Sequence, residues 1–310
     1  MTIADRNAFF ENNFDLIGKG IYSRGEKRFI SDGDVRLCRF CQKNEKETTF
    51  RNKSHAIPEC LGNHQLILLD ECDYCNTFFS EKLEDHLDKF TKPYRVAGQI
   101  AGRNGIPNYR TNNKKNRIEF NDLPTIKSQV GEEFAVVDNE KREITIKFHQ
   151  EPYIPLAVYK ALLKVAISII EDKNELSAFR QTILWLLNPD LTFSVINPAL
   201  LMQAFVPGPR PTDGVSVSLF RRKDGMSEVP YSIFVIAFGN VIFQLVVPSH
   251  IDNGVRMTFQ LPFLPSPFDE DWPYGDLKFE SYDLSGTEKR SRELRIVYSF
   301  DQMVEVNPSS

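Results

Sequence analysis

Three short stretches between residues 38 and 76 decide the fold of the first third of this chain. They are Cys38-Arg39-Phe40-Cys41, Lys53-Ser54-His55-Ala56-Ile57-Pro58-Glu59 and Cys72-Asp73-Tyr74-Cys75-Asn76. The first and third stretches each place two cysteines on one side of a tight turn, and four thiolates complete the tetrahedral shell of a zinc ion. Because all four ligands come from the protein, the predicted zinc is structural.

Two disulfides are the alternative interpretation of these four cysteines. The first ten residues include Asp5 and Arg6 and lack the apolar core of a signal peptide, so we expect a cytoplasmic protein, in which disulfides are rare. Two C-x2-C pairs among only five cysteines also favour zinc over unrelated thiols. The fifth cysteine, Cys60, is expected to be a packed core thiol.

The thirty residues between the two cysteine pairs are an insertion that a simple zinc ribbon lacks. The insertion holds His55 and a β-type run at residues 65–69, and the second pair leads through Asn76 into a helix, which gives a ββα order. Phosphodiester hydrolysis needs a neutral imidazole to take a proton from water and a divalent ion at the scissile phosphate. His55 can be that base and Asn76 can orient it or the ion, although capping the helix is the plainer role for Asn76.

Helical periodicity after Asn76 predicts which side chains face the strands. At about 100° per residue, four apolar side chains share the face of Asn76: Phe79, Leu83, Leu87 and Phe90. Glu84 and His86 flank this face from opposite sides. One of these two side chains, and not both, is therefore expected to reach a metal ion shared with His55.

Together these motifs resemble the HNH endonuclease superfamily, in particular its branch with paired C-x2-C knuckles, a His-x-x-Pro-Glu motif and a Cys-Asn junction. The similarity covers residues 37–105. It implies a zinc-stapled ββα-metal fold with His55 as general base, and a catalytic Mg²⁺ or Mn²⁺ in addition to the structural Zn²⁺. It also implies that the chain binds nucleic acid, with double-stranded DNA as the expected substrate.

The chain departs from the family pattern at one position. Many members carry Asp or Glu directly before the histidine as a metal ligand, whereas this chain has Ser54, a poor ligand for a hard divalent cation. The pattern also has an acidic residue eight positions after the Asn, which is Glu84 here. Glu84 is therefore our choice for the carboxylate ligand, with Asp85 and His86 as substitutes.

The rest of the chain predicts a second domain, which makes the protein α+β as a whole. A polar, basic stretch at residues 108–117 marks the boundary, so we divide the chain into an HNH domain (1–120) and an α+β domain (121–310). Helices are predicted at residues 155–170 and 174–187, and strands at 134–137, 144–148, 215–220, 232–238, 241–247 and 295–300. Hairpin connections between these strands favour antiparallel sheet.

One uncharged stretch, residues 231–251, is long enough to raise the question of a membrane span. It contains Gly239-Asn240 in its middle, flanked by β-branched and aromatic residues, and this pattern is typical of a buried hairpin. We therefore predict no membrane association.

The net charge of −4 is unevenly distributed, since residues 1–120 carry +3 and residues 121–310 carry −7. A polyanion is therefore expected to contact the first part of the chain. Nine basic residues are candidates for a phosphate-binding face: Lys43, Lys46, Arg51, Lys53, Arg103, Arg110, Lys114, Lys115 and Arg117. Such backbone contacts would give little sequence preference, and an ordinary solvated surface is the plainer interpretation.

The sequence leaves two functions open. The first is a metal-dependent endonuclease controlled by its acidic C-terminal domain through homo-oligomerisation, a protein partner or a small-molecule activator, a plan that resembles bacterial antiviral defence effectors. The second is a zinc-knuckle module that binds nucleic acid or protein and cuts nothing, with Ser54 as the sign of a lost metal ligand. Metal-dependent cleavage that requires His55 would separate these two functions.

Overall fold

The computed structural model describes residues 1–31, 36–111, 113–120, 124–129, 132–252 and 261–304. Its α-helices are α1 (Ile3–Asn13), α2 (Asp73–Phe79), α3 (Asp85–Ala97), α4 (Pro155–Ser168) and α5 (Arg180–Leu187). Its strands are β1 (Phe14–Tyr22), β2 (Arg28–Ile30), β3 (Ser54–His55), β4 (Leu66–Leu68), β5 (Tyr109–Arg110), β6 (Arg117–Phe120), β7 (Pro124–Lys127), β8 (Ala135–Asp138), β9 (Glu143–His149), β10 (Leu200–Phe205), β11 (Val215–Arg222), β12 (Ser232–Phe238), β13 (Val241–Val247), β14 (Lys278–Asp283) and β15 (Glu293–Ser299). The predicted α+β class is confirmed.

The largest sheet has six antiparallel strands in the order β1-β11-β12-β13-β10-β14. Strands β12 and β13 form the hairpin predicted for residues 231–251, with Phe238 paired with Val241. Gly239 has a φ of 54° at the turn, in the left-handed region that glycine adopts without a steric penalty. In the described part of the chain, no helix is both long and apolar enough to cross a bilayer.

Three smaller sheets complete the architecture, in the orders β15-β9-β8, β2-β4-β3 and β5-β6-β7. The predicted hairpin is present as β8 and β9. The helix predicted at residues 174–187 is divided into a 3-10 turn (Glu175–Phe179) and α5, because Phe179 leaves helical geometry with φ −107° and ψ 12°.

Strands β1, β10 and β14 lie outside the predicted elements. Strand β1 comes from the first 22 residues and pairs along its length with β11. The division of the chain at residue 120 stays a prediction, and residues 121–123, directly after it, lie outside the described residues.

Helix α4 lies at the centre of the molecule. All fourteen of its residues are buried, as expected for a helix that is apolar on every side. Towards the six-stranded sheet, the Tyr159 hydroxyl donates a hydrogen bond to the carbonyl oxygen of Val246 at 2.7 Å. Towards the cysteine-rich segment, Lys164 donates to the carbonyl oxygen of His55 at 3.2 Å. The helix therefore connects the sheet with the segment that contains the candidate site.

Arg39, between the first two cysteines, attaches that segment to the end of α4. Its guanidinium is buried and forms an ion pair with Asp70, with Nε 2.7 Å from Oδ1. Nη1 donates to the carbonyl oxygens of Ile167, Ser168 and Ile170 at 2.8, 2.9 and 3.0 Å. The positive charge also suits a helix C-terminus, where unpaired carbonyls carry partial negative charge.

Candidate functional site

The four predicted zinc ligands converge. Their sulfur atoms all lie within 4.8 Å of one another, and the four cysteines are Cys38, Cys41, Cys72 and Cys75. Sulfur atoms bound to zinc at about 2.3 Å in a tetrahedron stand about 3.8 Å apart. The Cys38–Cys75 and Cys41–Cys72 sulfur distances are 3.8 and 3.6 Å, and no disulfide joins these cysteines. The cluster can therefore hold a zinc ion.

The acid–base chemistry of the cluster also fits a cation. Burial raises the pKa of the Cys41 thiol to about 11, and a hydrogen bond with Cys38 raises the pKa of Cys75. The same hydrogen bond lowers the pKa of Cys38 to about 5. Four sulfurs this close cannot all be thiolates at neutral pH unless a cation compensates their charge, and zinc supplies that charge.

The second cysteine pair determines where the following helix begins. Cys72 is the N-cap residue of α2. Asn76 lies within the first helical turn, where its backbone N–H donates to the carbonyl oxygen of Cys72 at 2.9 Å. The helix-capping role considered for Asn76 is therefore wrong, because the helix starts three residues earlier than the sequence indicates.

A π-helical turn, Ser80–Glu84, separates α2 from α3. The apolar side chains predicted to face inward are all buried: Phe79, Leu83, Leu87 and Phe90. The wider turn rotates the residues after it around the helix axis relative to an unbroken repeat of 100° per residue. Such π-turns are frequent at functional sites.

The three candidate metal ligands, Glu84, Asp85 and His86, lie at the end of this turn and directly after it, and they differ in their surroundings. Glu84 and Asp85 line a cleft together with Asn76, the residue that follows Cys75. His86 is buried, and its Nδ1 accepts a hydrogen bond from the backbone N–H of Ile154 at 3.2 Å. Asp85 also forms an ion pair with Lys89 at 2.5 Å.

His55 lies on the short strand β3, which pairs with β4 in antiparallel register. Side chains alternate along a strand, so Ser54 and His55 point to opposite faces. Ser54 is buried, with 1% of its surface exposed, whereas His55 lines the cleft. The residue that departs from the family pattern therefore points away from the strand face that carries His55.

A 3-10 turn, Glu59–Leu61, folds the chain back towards His55. Glu59 Oε1 comes to 3.5 Å from His55 Nε2 and to 3.8 Å from His64 Nδ1. The amide of Asn63, fully buried, donates to the carbonyl oxygens of Ile57 and Leu66 and so fixes this loop. His64 was not among the candidate site residues, yet the structure places it next to the carboxylate that contacts His55.

The cleft has a volume of about 700 Å³. It brings together the three predicted catalytic residues, which are His55, Asn76 and Glu84. Further carboxylates and two basic residues lie around them: Glu59, Glu81, Asp85, Asp88, Lys53 and Arg103. Oxygen ligands of this kind suit Mg²⁺ or Mn²⁺, and Mg²⁺ usually needs only one or two protein carboxylates because it keeps several waters. The donor set therefore fits a catalytic divalent ion.

Burial lowers the pKa of His55 below its ordinary value of about 6.5, and the nearby Glu59 carboxylate opposes this shift. His55 Nδ1 is buried and has no hydrogen-bond partner among the described residues. Nε2 is therefore the nitrogen that faces Glu59 and that water in the cleft can reach. The imidazole is neutral at pH 7, which is the form that can accept a proton.

Lys164 and Glu71 are the residues of this site that the sequence did not reveal. Lys164 Nζ lies 3.1 Å from Glu71 Oε2 and 3.1 Å from Glu84 Oε1. Burial raises the pKa of Glu71 to about 7, although Lys164 opposes the shift. The available signal was the pair Lys160 and Lys164, one turn apart in a strongly apolar helix, since a buried lysine requires a partner.

Two of the nine predicted basic residues, Lys53 and Arg103, line the cleft. Two others, Arg110 and Arg117, form ion pairs with Glu119 at 3.7 and 3.1 Å. Of the nine predicted basic residues, Lys53 and Arg103 are therefore the two that share the cleft with the candidate catalytic groups.

A four-cysteine cluster that can hold zinc, a two-strand element with a histidine and a following helix define a ββα domain. Residues 38–91 match the family described as HNH endonuclease, and this part of the chain is an HNH domain. Such a domain indicates nuclease activity in general and binding to nucleic acid. Comparison of the chain with curated proteins and with solved structures gave no match.

Proposed function

We propose that this protein is a metal-dependent endonuclease that hydrolyses phosphodiester bonds in double-stranded DNA, with His55 as general base. The observation that carries this proposal is the placement of a neutral imidazole in one cleft with Asn76 and Glu84, beside a four-cysteine cluster. A binding module without catalysis would not need a half-buried histidine with a lowered pKa beside a carboxylate.

The side chains of the cleft have separate roles in the proposed hydrolysis. His55 Nε2 takes the proton of the attacking water, and Glu59 at 3.5 Å stabilises the imidazolium that forms. Glu84 and Asn76 supply oxygen ligands for a divalent ion, with Asp85 as a further carboxylate of the cleft. When bound, that ion would polarise the scissile phosphate and stabilise the leaving oxygen. Lys53 and Arg103 can contact flanking phosphates.

Residues 121–310 would control this activity. Helix α4 places Lys164 against Glu84, which lines the cleft, and its C-terminal carbonyl groups accept hydrogen bonds from Arg39. A partner, an activator or a second copy that displaces α4 would therefore disturb the candidate site directly. Bacterial defence effectors with a similar two-domain architecture also combine a nuclease with a second domain that controls it.

The test uses the full chain with supercoiled plasmid, linear duplex, single-stranded DNA and RNA, each with Mg²⁺, Mn²⁺ or EDTA. We expect nicked and linear plasmid to accumulate only with a divalent ion. Binding of duplex DNA in gel shifts without cleavage under any metal condition would favour the zinc-knuckle binding module instead. Preferential cleavage of RNA would contradict the choice of DNA while preserving the nuclease.

The pH dependence of cleavage should report on His55. Because only the neutral imidazole accepts a proton, the rate at low substrate concentration should fall as the pH drops through the pKa of His55, below about 6.5. Glu59 raises that pKa, so Glu59→Gln should move this acid limb to lower pH. The measurement is a pH–rate profile between pH 4.5 and 8 at constant ionic strength.

Glu81→Gln is the matched control for this profile, because Glu81 also lines the cleft but is not among the groups that shift the pKa of His55. Its acid limb should coincide with that of the wild type. An acid limb that stays in place in Glu59→Gln, or moves to higher pH, would show that another group controls the profile.

A further inference from the structure

The buried ammonium group of Lys164 contacts both His55 and Glu84, two of the candidate catalytic residues. It donates to the carbonyl oxygen of His55 at 3.2 Å, and it lies 3.1 Å from one carboxylate oxygen of Glu84 and 3.1 Å from one of Glu71. The contact with His55 is a hydrogen bond, and the two carboxylate contacts are ion pairs. The side chains of Lys164 and Glu71 are 1% and 0% exposed, which removes competition from water.

Glu84 differs from its two neighbours in this cluster because 21% of its side chain is exposed and it lines the cleft. One of its oxygens lies against Lys164, and among the described residues no hydrogen bond or ion pair engages the other, which can bind a cation. Carboxylates that bind metals are commonly fixed in this way by a hydrogen bond from outside the metal's own ligands. The same ammonium fixes the main chain at His55, so one group sets the position of both.

The other buried lysine of α4 provides an internal comparison. Lys160 lies one turn before Lys164 and is equally buried. Its ammonium donates to the carbonyl oxygen of Asn188 at 2.7 Å and lies 5.4 Å from the ring of Trp185. Lys160 therefore faces α5 and the loop that follows it. The two lysines share a helix and a degree of burial, and of the two, Lys164 is the one that contacts residues lining the cleft.

We propose that Lys164, from the C-terminal half of the chain, is a positioning residue of the nuclease site. Its ammonium holds the Glu84 carboxylate in the orientation that binds the metal ion, and it fixes the main chain of His55 relative to that carboxylate. This inference rests on the proposed function. Residue 164 lies far outside the part of the chain that matches the HNH family, residues 38–91. The catalytic cleft is therefore completed by a helix that does not belong to the HNH segment.

The variant that tests this role is Lys164→Met with Glu71→Gln. The double change removes one positive and one negative group together, so no buried charge remains without a partner, and the net charge around Glu84 is conserved. Lys160→Met is the matched control, because it removes a buried ammonium from the same helix without touching the cleft. All variants are full-length chains, and zinc per chain and melting temperature are measured for each.

Two readouts are needed. In a His55→Ala background, Mn²⁺ binding followed by electron paramagnetic resonance should weaken about tenfold or more in the double variant, the size typical of a lost supporting contact. With His55 present, kcat for plasmid should fall about tenfold or more, with KM little changed, because the phosphate-binding residues are intact. Lys160→Met should keep the Mn²⁺ affinity and kcat of the wild type.

Equal Mn²⁺ affinity and kcat in the double variant and the wild type would overturn the positioning role. Tighter Mn²⁺ binding would also overturn it, since Lys164 would then compete with the ion for Glu84. The same loss in Lys160→Met, or loss of zinc, would assign the effect to general packing. A wild-type protein that neither binds Mn²⁺ nor cuts any nucleic acid would refute the proposed function itself, which is a different result from an unchanged double variant.

Discussion

Replacing His55 with alanine should reduce metal-dependent plasmid cleavage by about 10²–10⁴-fold, the usual contribution of a positioned general base. The imidazole is the group of the cleft with a pKa held below its ordinary value by burial, so it is ready to accept a proton at neutral pH. Its removal leaves Glu84, Asn76 and the zinc cluster unaltered. The loss should therefore appear in kcat, with the affinity for DNA nearly unchanged, when initial rates are followed on agarose gels.

Two controls make this result specific to the chemistry. His250→Ala removes an exposed histidine on the 3-10 turn His250–Asp252, outside the cleft, and should cleave like the wild type. Zinc content in His55→Ala should stay at one per chain, because the side chain is not part of the cysteine cluster. If His55→Ala binds zinc normally and cleaves at the wild-type rate, His55 is not the base.

The parts of the fold that were predictable are those with local signals. The spacing of the two cysteine pairs identified a cluster whose sulfurs lie within 4.8 Å, and the Gly239-Asn240 turn identified the hairpin of β12 and β13 with its correct bounds. Both signals are contained in a few consecutive residues. Strand β1 was missed because Gly18, Lys19 and Gly20 interrupt its apolar pattern, while its pairing with β11 depends on residues about 200 positions away.

The candidate site was predictable only in part, for the same reason. His55, Asn76 and Glu84 lie within thirty residues, and the helical repeat was enough to place them near one cleft. The π-helical turn at Ser80–Glu84 has no clear sequence signature, so the phase of the helix after it was uncertain. The contact between Lys164 and Glu84 joins residues eighty positions apart, and only tertiary packing brings them together.

Loss of the cysteine cluster should have the largest effect on stability. Cys38, Cys72 and Cys75 are fully buried, and Cys72 also begins the helix that carries Asn76. Structural zinc contributes on the order of 10–16 kcal/mol to small zinc-dependent domains. We therefore expect Cys72→Ser to contain little zinc, to melt at least about 10 °C below the wild type and to lose cleavage, because the helix bearing Asn76 and Glu84 would lose its fixed start.

Cys60→Ser is the control for Cys72→Ser, because it replaces a cysteine that is not part of the four-cysteine cluster. Cys60 is the one cysteine of the five that stands outside the cluster, and burial raises the pKa of its thiol to about 12, so it is a poor zinc ligand at neutral pH. Elemental analysis should find one zinc per chain in Cys60→Ser and in the wild type. If Cys72→Ser keeps one zinc and an unchanged melting temperature, three cysteines and another ligand hold the ion, and the start of α2 must be fixed by other contacts. The hydrogen bonds from the N–H groups of Arg51 and Asn52 to the Asp73 carboxylate would then be the first to examine.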